Sequence, residues 1–479
     1  MDRVTKFAKA NVKNKKDFGE DARLAFKRHI DDLTRSEKND PTFPYRFDEA
    51  KAEDIIELAN KLTIAEGEGN EQFTCAGFQE FILGSLFGWV HKETGKRRFT
   101  DSYVQVARQQ GKSVLNAILG IKCCNFDNYN YGQIYCTATK ADQARIVLKE
   151  IIKFINADND LKELFDIKDY KSEITGKITS TVIRALGRDT HTIDGFRPYL
   201  GIVDEYHAHK DNQMYKLLKG GTRKLKQSLI SVITTAGFNL NAPCYDLYKY
   251  CRRVLRGIDV NERQFIYIAQ MDEKDDIWDP ANWIKCCPLT GKDPELVAAM
   301  QEDARKAQSM GGAELRDFLT KALNIWVTNA ETAFLDLAEW EKCGSERDLR
   351  DFIGKQVIVG LDLSSGGDLT SYCLEFPYED EETGDRRYFL HSQSFIPRHR
   401  LQEHMDLEDN APYVIWQKQG LLTVTTAAGG IKTDYKAILS SLHDIVDKYQ
   451  LDVMAIGYDP HNASAFLLDL EDFGCDLIE

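Results

Sequence analysis

YVQVARQQGKSVLNAILG, residues 103–120, is an apolar stretch, a polar turn and an amphipathic stretch in succession. Tyr103–Val106 predicts a short buried strand, and apolar residues recur at helical spacing after Ser113. A strand, a Gly-Lys-Ser turn and a helix are the setting of a phosphate-binding loop, because backbone N–H groups and the helix N-terminus face the anionic phosphates. The stretch therefore predicts a nucleotide site at the end of a sheet strand.

The side chains of this loop suit nucleotide binding. Lys112 is placed to reach the β- and γ-phosphate oxygens, and Ser113 to ligate Mg²⁺. Arg108 can stabilise charge on the γ-phosphate, although an arginine that only bonds a neighbouring loop is the competing interpretation. Val106 stands where the GxxxxGK[ST] pattern has its first glycine, so the loop is a deviant one. The predicted nucleotide-binding residues of the loop are Arg108, Gln109, Gln110, Gly111, Lys112 and Ser113.

Composition limits the class of protein. A chain of 479 residues is long enough for two or three domains. Its net charge of −14 disfavours a general nucleic-acid binder but leaves room for local basic grooves. The 11 cysteines include adjacent pairs, which suit neither a disulfide framework nor a zinc knuckle. Because the sequence has no apolar run of membrane-spanning length and no secretory signal, we expect a protein of a reducing cytosol.

Strands and helices alternate after the loop. Gly132–Thr139 predicts a strand, Lys140–Asn156 a helix, and Tyr199–Glu205 and Leu229–Thr235 two further buried strands. This alternation indicates an open α/β sheet that binds its ligand at the carboxyl ends of the strands. Residues 240–335 lose the strand pattern and look helical.

A second α/β region begins beyond residue 354. Three sequential strands, a helix and a further strand follow one another there, which is the order of a ribonuclease H-like fold. The predicted division is a helical segment over 1–65, a P-loop ATPase core over 66–240, a lid and the end of the ATPase domain over 241–340, a linker over 341–354 and a nuclease-like domain over 355–479.

Acidic and hydroxyl side chains end the strands of the first domain. Asp204 is placed to hold Mg²⁺ through water, and Glu205 to orient or deprotonate the attacking water. Thr234 and Thr235 end another buried strand and could sense the γ-phosphate, although hydroxyls are also ordinary at strand ends. Gln79, near the start of an aromatic-rich helix, could present its amide to an adenine edge.

Two aspartates of the second domain suggest metal binding. Asp362 lies on a strand, and Asp459 ends another about a hundred residues later. Carboxylates from neighbouring strands can hold two Mg²⁺ or Mn²⁺ ions astride a scissile phosphate. Asp368 is a candidate further ligand, although an aspartate in a turn is the commoner explanation.

Taken in order, these motifs resemble the large terminase subunits of tailed double-stranded DNA bacteriophages. ARQQGKS (107–113) resembles the deviant Walker A motif of that family, IVDEYH (202–207) its Walker B motif, and ITTAG (233–237) its coupling motif. Gln79 matches the adenine-reading glutamine. GLDLSSGGDLT (360–370) and GYDPHNA (457–463) resemble the first two metal-binding elements of its nuclease.

The resemblance implies an ATP-driven motor that moves viral double-stranded DNA into a procapsid, and a metal-dependent nuclease that cuts the concatemer. ATP with Mg²⁺ would serve the motor, and Mg²⁺ or Mn²⁺ the nuclease. It implies the catalytic residues Glu205, Arg108, Lys112, Asp362 and Asp459. It further implies a homo-oligomeric ring, a portal protein and a small terminase subunit as partners, and a location in the host cytoplasm, transiently at the procapsid portal.

The family's nuclease has a further acidic position well beyond the second, whereas this sequence ends at Glu479, so the resemblance implies an incomplete nuclease domain. Two other classes of function compete. A P-loop helicase or translocase of repair or restriction would carry a second ATPase-like domain, which the nuclease-like strands disfavour. A non-catalytic DNA-binding scaffold with a decayed loop is disfavoured by intact Lys112, Ser113, Asp204 and Glu205.

Overall fold

The chain divides into two compact units, Met1–Phe334 and Leu335–Glu479. The structure, a computed structural model, describes all residues except 39, 67–68, 140, 187–196, 328–339, 341, 364–368, 381–383, 407–412, 431–432 and 460–466. Within the described ranges, no helix combines the length and the apolar character that a membrane crossing requires.

The first unit is built on an eight-stranded sheet. Its strands, with those of two small two-stranded sheets, are β1 (Tyr45–Phe47), β2 (Thr63–Glu66), β3 (Gly69–Gln72), β4 (Trp89–His91), β5 (Asp101–Gln105), β6 (Gln133–Thr137), β7 (Phe165–Lys168), β8 (Glu173–Gly176), β9 (Val182–Leu186), β10 (Pro198–Asp204), β11 (Leu229–Thr234) and β12 (Gln264–Ile268). The sheet order is β12-β5-β11-β10-β6-β9-β8-β7. The six strands from β12 to β9 pair in parallel, and β8 and β7 continue the sheet antiparallel.

Helices cover this sheet and extend it. They are α1 (Arg3–Asn11), α2 (Glu20–Glu37), α3 (Glu49–Lys61), α4 (Gly77–Gly88), α5 (Lys112–Ile121), α6 (Ala141–Ala157), α7 (Asn159–Glu163), α8 (Gln213–Gly221), α9 (Pro243–Leu255), α10 (Pro294–Met310) and α11 (Gly312–Asp317). Every residue of β11, and all of β10 but its last, is buried, as expected of parallel strands covered on both faces.

The N-terminal helices belong to the core of the sheet. Phe26 of α2 and Ile56 of α3 lie in the same hydrophobic cluster as Tyr103 of β5. Arg98, whose side chain is fully buried, donates a 2.7 Å hydrogen bond to Asp32 of α2 and lies over the ring of Trp89. A guanidinium is stable in such a place only when it is paired and surrounded by aromatic faces. The predicted N-terminal helices are therefore an integral layer of the first unit.

The expectation that residues 240–335 contain no strand is wrong. Gln264–Ile268 forms β12, which pairs in parallel with β5 and is buried throughout. A short buried run with no alternation cannot be told from buried helix by periodicity. The helices predicted in this region are present as α10 and α11, and α11 continues into a π-helical turn over Phe318–Ala322.

The second unit contains a six-stranded mixed sheet. Its strands are β13 (Gln356–Asp362), β14 (Thr370–Glu379), β15 (Arg386–Pro397), β16 (Leu422–Thr425), β17 (Asp452–Tyr458) and β18 (Asp476–Ile478), in the order β16-β15-β14-β13-β17-β18. The first three form antiparallel pairs, and after the helix Tyr435–Tyr449 the chain returns as β17, parallel to β13. This is the predicted strand order.

Short helices complete the second unit. They are Arg398–Asp406, Tyr413–Lys418 and Leu467–Leu470. Along β13, Val357, Val359 and Leu361 are buried and alternate with exposed residues, so one face of the sheet carries the core.

Candidate active sites

The loop between β5 and α5 has the backbone of a tight anion-binding turn. Gln109 and Gly111 both have positive φ angles, 59° and 78°. At Gly111 a side chain would be strained by this conformation, and its Cβ would lie 2.4 Å from the Gln79 amide nitrogen. Helix α5 begins at Lys112, so its first free N–H groups face the concave side of the turn.

Lys112 is buried against its own loop. Its Nζ donates to the Ala107 carbonyl at 3.1 Å and lies 3.4 Å from the Val106 carbonyl. Burial lowers the pKa of the Lys112 ammonium, while the nearby carboxylates of Glu205 and Asp204 oppose that shift. The ammonium is thus held at the mouth of the turn, among groups of opposite charge.

Two carboxylates with divergent pKa values face Lys112 from the end of β10. Burial, reinforced by repulsion from Glu205, raises the pKa of Asp204 to about 7. Burial also opposes ionisation of Glu205, but His207, Lys112 and Arg108 together lower its pKa below the usual value. Asp204 accepts a hydrogen bond from Asn116 Nδ2 at 3.3 Å. Neighbouring acids with pKa values pushed apart are typical of a site where one is an ionised base.

Glu205 is held in an unusual backbone conformation. Its φ and ψ angles are both 47°, in the left-handed region that a non-glycine residue rarely adopts. The turn directs the carboxylate toward His207, whose Nδ1 lies 3.2 Å from Glu205 Oε2. The backbone at this position is a feature that sequence reasoning did not anticipate.

His207 joins Glu205 to the end of β11. Its backbone N–H donates to Thr234 Oγ1 at 3.0 Å, and its Nδ1 lies 3.1 Å from Thr234 Oγ1 and 3.3 Å from Thr235 Oγ1. The two predicted threonines therefore contact the carboxylate loop through this ring. Just beyond them, the Ala236 N–H donates to Asn324 Oδ1 at 2.8 Å.

Gln110 fastens the loop to the segment before α10. Its side chain is buried, donates to Thr290 Oγ1 at 2.8 Å, and accepts a 2.7 Å hydrogen bond from the Leu289 N–H. The side-chain amide of Gln110, which the sequence predicts to bind nucleotide, is thus hydrogen-bonded to other residues of the protein. The backbone N–H of Arg108 donates to the Lys321 carbonyl at 2.8 Å, which adds a second attachment.

The exposed side chains of Arg108 and Gln109 line a cavity of about 390 Å³ between the loop and helices α10 and α11. Met300, Phe318 and Lys321 contribute to its other walls. Gln79 lies on the inner side of the loop, where it is buried and its Oε1 accepts from the Ala76 N–H at 3.0 Å. Its role in adenine recognition stays a prediction.

In the second unit, Asp362 and Asp459 lie at the ends of adjacent strands. The last registered pair of β13 and β17 is Leu361 with Tyr458, and each aspartate comes one residue later. Both are exposed. The predicted adjacency of two parallel strands at this edge is confirmed. Asp368 lies outside the described residues, and within them no group of three or more potential metal ligands is found.

Two family models match successive stretches of the chain. A family model for the terminase large subunit ATPase domain matches residues 77–253, and one for the terminase large subunit endonuclease domain matches residues 259–478. The crystal structure of the HK97 bacteriophage large terminase superposes with a TM-score of 0.50 at 21% identity, covering 90% of this chain and 84% of that one.

Curated relatives of similar sequence agree with the family models. The large terminase subunit of Enterobacteria phage HK97 is 24% identical over 78% of this chain and 70% of its own length. The large terminase subunit of Lactococcus phage p2 is 24% identical over 75% of this chain and 64% of its own length. Protein YmfN of Escherichia coli K12 is 31% identical over 51% of this chain, which spans about half of YmfN. Because consecutive ATPase and endonuclease models match in the family order, the chain belongs to the terminase large subunit family.

Proposed function

We propose that this chain is an ATP-driven motor that translocates double-stranded viral DNA into a procapsid and cuts concatemeric DNA. The observation that carries the proposal is the convergence of Lys112, Asp204 and Glu205 at one edge of the sheet, with pKa values of the two acids shifted in opposite directions.

In the ATPase site, each side chain has a separate task. Lys112 and the N-terminus of α5 would stabilise charge on the β- and γ-phosphates, and Arg108 would add to this in the transition state. Glu205, ionised at neutral pH, would accept a proton or a hydrogen bond from the attacking water. Thr234 and Thr235 contact His207, which contacts Glu205, so they would respond to changes at that carboxylate.

The donor set around Asp204 suits Mg²⁺. Asn116, whose Nδ2 donates to Asp204, has a buried Oδ1 that accepts no hydrogen bond within the described part of the chain. Hard oxygen ligands are the ones Mg²⁺ prefers. Asp204, with Ser113, would hold the ion. The ion would neutralise negative charge that builds up on the phosphates.

The second unit would supply the nuclease. Asp362 and Asp459 would hold Mg²⁺ or Mn²⁺, with Asp368 as a further candidate ligand. Family membership also supports a homo-oligomeric ring that engages a portal protein and a small terminase subunit, in the host cytoplasm and at the procapsid portal.

A DNA-stimulated ATPase assay tests the motor. Lys112→Ala should abolish turnover, and Glu205→Gln should bind nucleotide at parental affinity but lose hydrolysis, because it removes the carboxylate and keeps its shape. Glu163→Gln, an exposed acid of α7, is the matched control and should turn over at the parental rate. Parental turnover by Glu205→Gln would refute the assignment of the catalytic carboxylate.

A further inference from the structure

One segment of the first unit is strongly basic although the whole chain is acidic. Residues 210–227, KDNQMYKLLKGGTRKLKQ, contain six lysines or arginines and a single aspartate, in a chain whose net charge is −14. The segment comprises α8 and the turn that leads to β11. Its charge contrasts with that of the whole chain and calls for a physical explanation.

Five of these cations are exposed to solvent and form no ion pair within the described part of the chain. They are Lys210, Lys216, Arg223, Lys224 and Lys226. Unpaired like charges so close together repel one another, which costs stability in the isolated protein. A polyanion bound to this segment would remove that cost.

Two side chains of α8 contact the strands that carry the ATPase motifs. Leu218 is buried against Gly201 of β10, where an added Cβ would lie 3.1 Å from Leu218 Cδ1. Lys219, the sixth cation, forms an ion pair with Asp101 at the start of β5. The basic segment therefore contacts, through α8, the strands that lead to Glu205 and to the phosphate loop.

We propose that the five exposed cations of residues 210–227 bind the sugar-phosphate backbone of duplex DNA. Segment and ligand are complementary in charge, since duplex DNA carries one negative charge per roughly 1.7 Å of its axis and the segment carries five exposed cations between Lys210 and Lys226. No base-reading contact is required of a motor that must pass any sequence. The inference rests on the proposed function and gives its DNA-binding step a location.

This location has a mechanical consequence. A phosphate bound on α8 is coupled through Leu218 to β10, which ends at Asp204, and through Lys219 to β5, which ends at the phosphate loop. Duplex DNA bound here would stabilise one placement of α8 relative to both strands. Stimulation of ATP turnover by DNA should therefore depend on the same five cations.

The test compares two five-fold variants of the full chain. One is K210Q/K216Q/R223Q/K224Q/K226Q. The matched control, K6Q/K9Q/K13Q/K15Q/K16Q, removes five exposed lysines from the N-terminal helical region, which form no ion pair with a described residue. Fluorescence anisotropy with a labelled duplex of roughly 30 base pairs gives the affinity between about 50 and 200 mM salt. Thermal unfolding monitors the fold of each variant.

The basic-segment variant should bind at least about tenfold more weakly at roughly 100 mM salt. The slope of its log affinity against log salt concentration should also be smaller in magnitude, by up to about 4–5. This corresponds to roughly 0.9 for each phosphate that is no longer neutralised. The control should keep the parental slope. Equal losses in both variants, a loss only in the control, or no binding by the parental chain would overturn the inference. An inactive ATPase in the parental chain would instead refute the proposed function.

Discussion

Replacing Asp204 by Asn should stabilise the first unit while abolishing ATP hydrolysis that depends on Mg²⁺. Folding raises the pKa of this carboxyl group from 3.8 to about 7. A difference of this size corresponds to about 4 kcal/mol of unfavourable free energy in the folded state when the group is ionised. Asparagine keeps the shape and removes the charge, so it removes this cost.

The stability gain from Asp204→Asn should increase with pH, as the direction of the pKa shift requires. An acid whose folded pKa is raised contributes most to stability when it is protonated in both states, below pH 3.8, and this contribution is lost as the pH rises toward 7. The gain from Asp204→Asn should therefore be small near pH 4, about 2 kcal/mol at pH 5 and about 4 kcal/mol at pH 8.

Hydrogen–deuterium exchange of the β10 and β11 amides, without divalent cations or nucleotide, measures this gain as a local free energy of opening. Asp160→Asn, at an exposed position of α7, is the control and should change neither value. A gain that is equal at pH 5 and pH 8, or a destabilised Asp204→Asn variant, would refute the electrostatic reasoning.

Further variants test other parts of the site. Arg108→Ala should slow turnover by roughly 10³–10⁵, as measured in single-turnover assays, with a much smaller effect on ATP affinity; intact turnover would make Arg108 a structural loop residue. Gln110→Ala should leave the Leu289 N–H without its partner, which should lower the free energy of unfolding by about 1–3 kcal/mol. Amide hydrogen exchange over residues 287–292 should rise in this variant and stay unchanged in the control Gln109→Ala. Asp362→Ala and Asp459→Ala should each leave ATPase activity unchanged; a fall in ATP turnover would contradict their assignment to a separate nuclease site.

The local patterns in the sequence predicted the elements that carry the sites. The loop before Lys112 and the acids at the end of β10 were predicted because turn chemistry, strand ends and apolar runs are short-range signals. The parallel neighbours β13 and β17 followed from strand order. Strand β12 was missed because a short buried run has no period of its own.

Contacts between distant parts of the chain could not be predicted in this way. Gln110 and Leu289 are 179 residues apart, and nothing in either neighbourhood indicates the other. No local pattern in the sequence indicates the left-handed backbone of Glu205. The contacts of His207 with Thr234 and Glu205 emerge only when strands β10 and β11 are placed side by side.

The N-terminal helices pack against the sheet and β12 is one of its strands, so they decide which fragments of this protein can fold. Residues 77–253, the extent of the ATPase family match, omit both α1–α3 and β12. Such a fragment would expose the apolar surface beneath Phe26 and open the edge of β5 to pairing with other chains, so it should aggregate on expression. A soluble piece should begin near residue 1 and include Asn324, whose amide ties Ala236 to Ala269.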